Sequence, residues 1–284
     1  MKQRWRRFAL RLGQLVPWGD DMYAQINDIR MAYGDRDRGS ETTLLLVHGF
    51  PLDRRLWAAQ VGAFVNMTRV ITPDLRGHGR SQVALGPFTM EQHADDLAAL
   101  LDHLRVRHAV VAGLSMGGYV AFAFWRRYPE RVRGLILADT RAEPDSAAIR
   151  IGRDAASARV QQTGAAAYAD EMLPRLLAPA SLANMKIVGA VRKMMAEQPV
   201  EGIVGALGGL RDRVDSRATL PTITVPTLVI AGDADVITPP ADARALAAAI
   251  PGARLAVILR AGHLSPLENP RAFNAAVRPF LSGL

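Results

Sequence analysis

The chain has no cysteine in its 284 residues. Disulfides, thiolate nucleophiles and cysteine-based zinc or iron–sulfur centres are therefore excluded, and the fold has to rest on packing. Lysine is almost as scarce, with 3 residues against 32 arginines. Together with the abundance of alanine, that imbalance reads as a compositional bias more than a binding surface. No segment approaches the ~20 consecutive apolar residues that would span a bilayer.

The formal charge of +8 invites a nucleic-acid reading, but its distribution argues against one. Lys2, Arg4, Arg6, Arg7 and Arg11 precede the first acid, Asp20, and the rest of the chain carries only about +3. A nucleic-acid binder concentrates basic residues on one groove or helix, interleaved with aromatics; no such stripe is present. In residues 1–18, Trp5, Phe8, Leu12, Leu15 and Val16 recur at roughly helical spacing between arginines. Arg11 interrupts the uninterrupted apolar stretch of about 7–15 residues that a secretory signal needs. A basic amphipathic helix touching anionic lipid or a partner is one reading. The favoured one is an extension that packs on its own domain or frays, in a cytoplasmic protein.

With 49% apolar residues, the chain can bury a large core, and its length suits one α/β domain with an insertion. Short β-rich runs alternate with helical stretches, the pattern of a parallel sheet flanked by helices. Tyr23–Ile26 and Ile29–Tyr33 flank Asn27-Asp28 and predict a hairpin. Buried strands are expected at Thr43–Val47, Arg69–Thr72, Ala109–Ala112, Gly134–Ala138, Thr227–Ala231 and Arg254–Leu259. Most lack alternation, as strands covered on both faces do. Helices are expected at about 56–65, 91–104, 116–128, 240–249 and 270–281. Between Arg141 and about Leu220 the alternation stops. That span is helical in character, rich in Ala and Met and punctuated by Pro144, Pro174, Pro179 and Pro199. The domain reading is an extension (1–18), a core (19–140 and 221–284) and a helical cap inserted in it (141–220).

Ala109-Val110-Val111-Ala112-Gly113-Leu114-Ser115-Met116-Gly117-Gly118 carries the strongest chemical signal. A strand runs into Gly-x-Ser-x-Gly and a helix starts at once. A turn that tight excludes bulk two residues before the serine and just after it, and it lifts the hydroxyl above the sheet edge at a helix N-terminus. An unreactive serine in a small-residue turn is the rival reading. At Leu46-Val47-His48-Gly49-Phe50-Pro51 a strand ends in a loop suited to an oxyanion hole, in which the backbone N–H groups of Phe50 and Met116 converge. His48 reads as a structural tie. Asp74 and His78, in Asp74-Leu75-Arg76-Gly77-His78-Gly79-Arg80-Ser81, look catalytic in isolation, but packing beside that turn is favoured. In Gly232-Asp233-Ala234-Asp235-Val236-Ile237-Thr238-Pro239, Asp235 is the better acid and Asp233 the better turn cap. His263, after Gly262 on a loop past the last strand, is the base placed to reach Ser115.

Nucleophile, acid and histidine follow in the chain order of the α/β hydrolases, each at the carboxyl end of its strand, where parallel sheets place their sites. In these motifs the chain resembles that superfamily over about residues 23–281. It looks most like small serine esterases, cofactor-free haloperoxidase-type esterases and 3-oxoadipate enol-lactonases. The resemblance implies an α/β-hydrolase fold: a mostly parallel doubly wound sheet with an antiparallel N-terminal hairpin, flanking helices and a cap. It implies a triad of Ser115, Asp235 and His263, no cofactor, no metal ion, and a small ester or lactone substrate. Serine at 115 counts against the haloalkane dehalogenases and epoxide hydrolases, which have aspartate there. The His-Gly-Gly-Pro-Gly loop of proline iminopeptidases is absent, as is the His-Gly-Gly-Gly loop of hormone-sensitive-lipase-like esterases. The expected activity is hydrolysis of carboxylic esters of small to medium acyl groups. Lactone opening or perhydrolysis by the same triad is the alternative, and a non-catalytic ligand-binding protein is the rival of another class. Homo-oligomerisation is left open.

Overall fold

The computed structural model describes residues 21–84 and 86–284. The extension read at 1–18, with its lipid- or partner-contact alternative, lies outside them. Among the described residues, eight strands form one sheet in the spatial order β1-β2-β4-β3-β5-β6-β7-β8. They are β1 (Met22–Ile26), β2 (Ile29–Arg36), β3 (Thr43–Val47), β4 (Arg69–Pro73), β5 (Ala109–Leu114), β6 (Val132–Ala138), β7 (Thr227–Gly232) and β8 (Arg254–Ile258). The hairpin forms as expected, with Ile26 opposite Ile29 and Asn27 in the left-handed region at φ 50°, where an Asx side chain is tolerated. β2 joins β4 antiparallel, and every later pairing is parallel.

Continuous apolar strands feed two cores. Leu45 and Val47 of β3 pack on one face of the sheet, while Leu44 and Leu46 pack on the other, because successive side chains point oppositely. Val111 and Val110 of β5 divide in the same way. Helices α2 (Met90–His103), α3 (Met116–Arg127) and α8 (Pro240–Ala249) cover the first face. On the second face lie α1 (Ala58–Phe64) and, at the chain's end, the helix over Pro270–Ser282. Residues 116–125 of α3 are all buried, so this helix is apolar on every side because it is covered on every side.

The strand reading needs one correction. β8 was expected to be covered on both faces through Leu259, but it ends at Ile258. Leu255, Val257 and Leu259 are exposed at 39%, 40% and 64%. Among the described residues β8 is the last strand of the sheet and pairs only with β7, so an apolar run there has a face left open.

Between β6 and β7 the chain makes four helices: α4 (Ala147–Leu176), α5 (Pro179–Leu182), α6 (Met185–Ala196) and α7 (Val200–Asp212). α4 breaks at Gly164, whose φ of 81° is open to glycine at no steric cost. After β8 come α9 (Ser265–Glu268) and α10 (Pro270–Ser282). Among the described residues, no helix is long and apolar enough to cross a membrane.

Candidate active site

Ser115 stands between the last residue of β5 and the first of α3, at φ 53° and ψ −112°. A non-glycine residue in that region costs of order 1–3 kcal/mol and persists only where its surroundings over-determine it. Here they do. Ser115 N donates to Ala138 O at 2.9 Å, and Ser115 O accepts from Gly118 N at 2.8 Å and from Thr140 Oγ1 at 2.9 Å. The glycines are required by contact: a Cβ on Gly113 would stand 2.1 Å from Gly117 O, and one on Gly117 would stand 2.3 Å from Val47 O. The turn is thus wedged against β3.

His263 follows β8 on a loop held by three bonds. Its N donates to Leu176 O at 2.9 Å, while Gly262 N and Leu264 N donate to Glu268 Oε1 at 2.9 and 3.0 Å. The imidazole so placed, 2% exposed, has Nε2 at 2.8 Å from Ser115 Oγ and Nδ1 at 2.8 Å from Asp235 Oδ2. Asp235 sits just beyond β7 and is buried. Its Oδ1 accepts from Ile237 N (2.8 Å) and Thr238 N (3.0 Å), and its Oδ2 accepts from Thr238 Oγ1 (2.7 Å). The structure therefore brings Ser115, His263 and Asp235 into one hydrogen-bonded line. Asp233 is turned elsewhere and accepts from Ala261 N at 3.1 Å.

The electrostatics follow the geometry. Burial works against a charged imidazole, but the charge and hydrogen bond of the adjoining Asp235 carboxylate, with Glu268 behind it, outweigh burial and hold the His263 pKa above the ordinary imidazole value. Asp235 is desolvated too, yet the charge and hydrogen bonds of His263 and Thr238 keep its pKa below the usual carboxylate range.

The loop of Gly49-Phe50 lies alongside: a Cβ on Gly49 would come within 3.3 Å of Ser115 Cβ. Phe50 packs against the rings of His78 (6.3 Å) and Tyr168 (6.1 Å), and Met116 is the first residue of α3. Phe50 thus follows the glycine that closes on the serine turn, and Met116 follows Ser115 directly. His48 is fully buried; its Nδ1 bonds Gly49 O at 2.9 Å and its Nε2 accepts from Leu75 N at 2.9 Å, so it ties two loops together. Asp74 accepts from Arg54 N and Arg80 N at 2.9 and 3.0 Å, which likewise closes a loop.

Four polar residues of the site escaped the sequence reading. Asp139 follows β6 directly and is 1% exposed, with Oδ1 accepting from Gly232 N at 2.8 Å and Oδ2 at 2.5 Å from Ser265 Oγ. A carboxyl just past a buried parallel strand is the same signal that singled out Asp235. Thr238 and Thr140 had no signal beyond their closeness to Asp235 and β6. Glu268 had none, because its third donor, Ala178 N at 2.8 Å, is 90 residues away in sequence. Among the described residues, no group of three or more His, Asp or Glu side chains is arranged to hold a metal ion.

Residues 42–270 match the family described as having the alpha/beta hydrolase fold, and the chain belongs to that family. It is 32% identical over 259 residues to 3-oxoadipate enol-lactonase 2 of Acinetobacter baylyi, across 91% of this chain and 94% of that one. A thermophilic esterase from Thermogutta terrifontis, solved with malate bound, superposes with a TM-score of 0.89 at 43% identity, over 93% of this chain and 98% of the other. The enol-lactonase of Burkholderia xenovorans superposes with a TM-score of 0.86 at 32% identity, over 92% and 100%.

Proposed function

We propose that the protein is a serine hydrolase that cleaves carboxylic esters of small to medium acyl groups through an acyl-enzyme on Ser115. The observation that carries this reading is the unbroken chain from Asp235 Oδ2 through both nitrogens of His263 to Ser115 Oγ, with both contacts at 2.8 Å. His263 takes the Ser115 proton as Oγ attacks the ester carbonyl, then returns it to the departing alkoxide. Asp235 holds the imidazole in the tautomer that accepts at Nε2, and offsets the positive charge it gains. Water activated by the same imidazole then attacks the acyl-enzyme, releasing the acid and restoring the Ser115 hydroxyl.

The tetrahedral oxyanion is received by the N–H groups of Phe50 and Met116, the latter at a helix N-terminus with its partial positive charge. Removing one such donor costs roughly 10²–10³ in kcat where this has been measured. The helices between β6 and β7, residues 141–220, act as a cap; Tyr168 of α4 against Phe50 brings that segment over the oxyanion loop. Substrate choice is assigned to this cap.

Lactone opening is the second reading, and the two enol-lactonase relatives favour it. It needs no new group, since the leaving alkoxide simply stays tethered to the acyl half. p-Nitrophenyl esters of increasing acyl length, run beside several lactones, separate the two. The ester reading requires turnover of the short-chain esters that Ser115→Ala abolishes in a folded protein. Turnover confined to lactones selects the alternative, and activity retained in Ser115→Ala discards both.

A further inference from the structure

The mechanism above leaves one buried ionisable group of the site unused. Asp139 is wholly enclosed, and among the described residues no arginine or lysine pairs with it. Like Ser115, it holds a left-handed backbone, at φ 47°. Its carboxyl spans the junctions that carry the other groups. Ala138, immediately before it, accepts from Ser115 N at 2.9 Å. Oδ1 accepts from Gly232 N, three residues before Asp235. Oδ2 lies 2.5 Å from the hydroxyl of Ser265, two residues after His263. The Asp139 carboxyl thus joins the end of β7 to the histidine loop, and Ala138 beside it holds the serine turn at the end of β5.

The groups facing it decide its charge. Asp235 and His263 bear on it directly; Asp242 of α8 and Glu268 of α9 act on that pair from outside. Arg141, two residues on, is directed to Tyr119 and, at 3.9 Å, to Asp242. Two carboxyls enclosed beside one imidazole cannot both ionise without strong mutual repulsion. Asp235 has four hydrogen bonds donated to it that favour its charge; Asp139 has one backbone donor and one hydroxyl.

We propose that Asp139 is a positioning residue that works as a neutral carboxylic acid, donating from Oδ2 to Ser265 Oγ and accepting at Oδ1 from Gly232 N, so that it locks the Asp235–His263 pair in line with Ser115. The role rests on the hydrolase reading above. Burial, reinforced by the charge of Asp235, pushes the Asp139 pKa up to about 8, so the group stays protonated at neutral pH. Its ionisation removes the proton donated to Ser265 Oγ and sets a second negative charge against Asp235, which releases the lock on the Asp235–His263 pair. The expected rate profile therefore falls on the alkaline side near that value.

The test has an arm that needs no activity. Infrared difference spectra of the wild-type protein at pH 7 should show the carbonyl stretch of a protonated carboxyl. It should fade as the pH rises past 8 and be missing in Asp139→Asn, whose amide keeps one acceptor and one donor in the same places. In kinetics, Asp139→Ala should lower kcat by about 10- to 100-fold, the scale of a misplaced reacting group, with little change in KM. Asp139→Asn should recover most of that loss and show no alkaline fall. A spectrum with no such band at pH 7, or one unchanged in Asp139→Asn, overturns the proposal. So does an Asp139→Asn profile that keeps the wild-type alkaline fall. If the wild-type protein turns over no ester or lactone, the hydrolase reading has failed, and the infrared arm still decides the protonation of Asp139.

Discussion

His263 N donates to the carbonyl oxygen of Leu176 at 2.9 Å, so the last residue of α4 holds the loop that carries the imidazole. Glu268 reinforces the join from the other side, accepting from Ala178 N with one oxygen and from Gly262 N and Leu264 N with the other. The inserted helices and the histidine loop are therefore a single hydrogen-bonded unit.

Glu268→Ala should loosen that unit. Three backbone donors lose a charged acceptor, a loss of about 1–3 kcal/mol for each group left buried and unsatisfied. The expected outcome is a lower melting temperature, together with a fall in kcat greater than any change in KM. Calorimetry and steady-state kinetics on the same preparation check it.

The base works only when neutral, and the pKa of His263 is held above the ordinary imidazole value by the charge and hydrogen bond of Asp235, with Glu268 adding to it, against the opposing effect of burial. kcat/KM should therefore fall with acidification through a midpoint above 6.5, the unperturbed imidazole value. Asp235→Asn removes the charge and selects the wrong tautomer, so kcat should drop by about 10⁴-fold. A rate that stays flat from pH 5 to 8 contradicts the assignment of His263.

His93 gives a prediction about stability. It is fully buried on α2, and neither ring nitrogen has a hydrogen-bond partner among the described residues. Burial first, and then the neighbouring His78, Arg76 and His48, push its pKa well below the ordinary value. The folded state thus keeps it neutral, while the unfolded chain takes up a proton as pH falls below about 6.5. The linked cost is absent above that pH and grows as the pH drops below it. His93→Leu should leave the neutral-pH melting temperature equal or higher, since no hydrogen bond is lost. It should also reduce the fall in melting temperature between pH 6.5 and 5. An unchanged slope would contradict this.

The parts of the fold written in local pattern were legible from the chain. Unalternating runs such as Leu44-Leu45-Leu46 announced a sheet covered on both faces, and the Asn27-Asp28 turn announced the hairpin. The spacing of Gly113, Ser115 and Gly117 announced the tight corner, and contact distances at the two glycines leave no room for a side chain. Asp235 could be preferred to Asp233 from its distance past the strand. What escaped was written between distant segments: Asp139 acts on Ser265 and Gly232, and Glu268 on Ala178. No spacing along the chain encodes partners that only the closed sheet brings together. β8 failed for a related reason, since an apolar strand does not reveal whether it lies at the edge of its sheet.

The central claim is that Ser115 is made nucleophilic by its line to His263 and Asp235, and one measurement tests it most directly. The wild-type protein is incubated with a fluorophosphonate probe and its peptides are mapped by mass spectrometry. The account predicts one adduct, on Ser115, that fails to form in His263→Ala. An unlabelled Ser115 in a folded protein, or equal labelling with and without the imidazole, would contradict it.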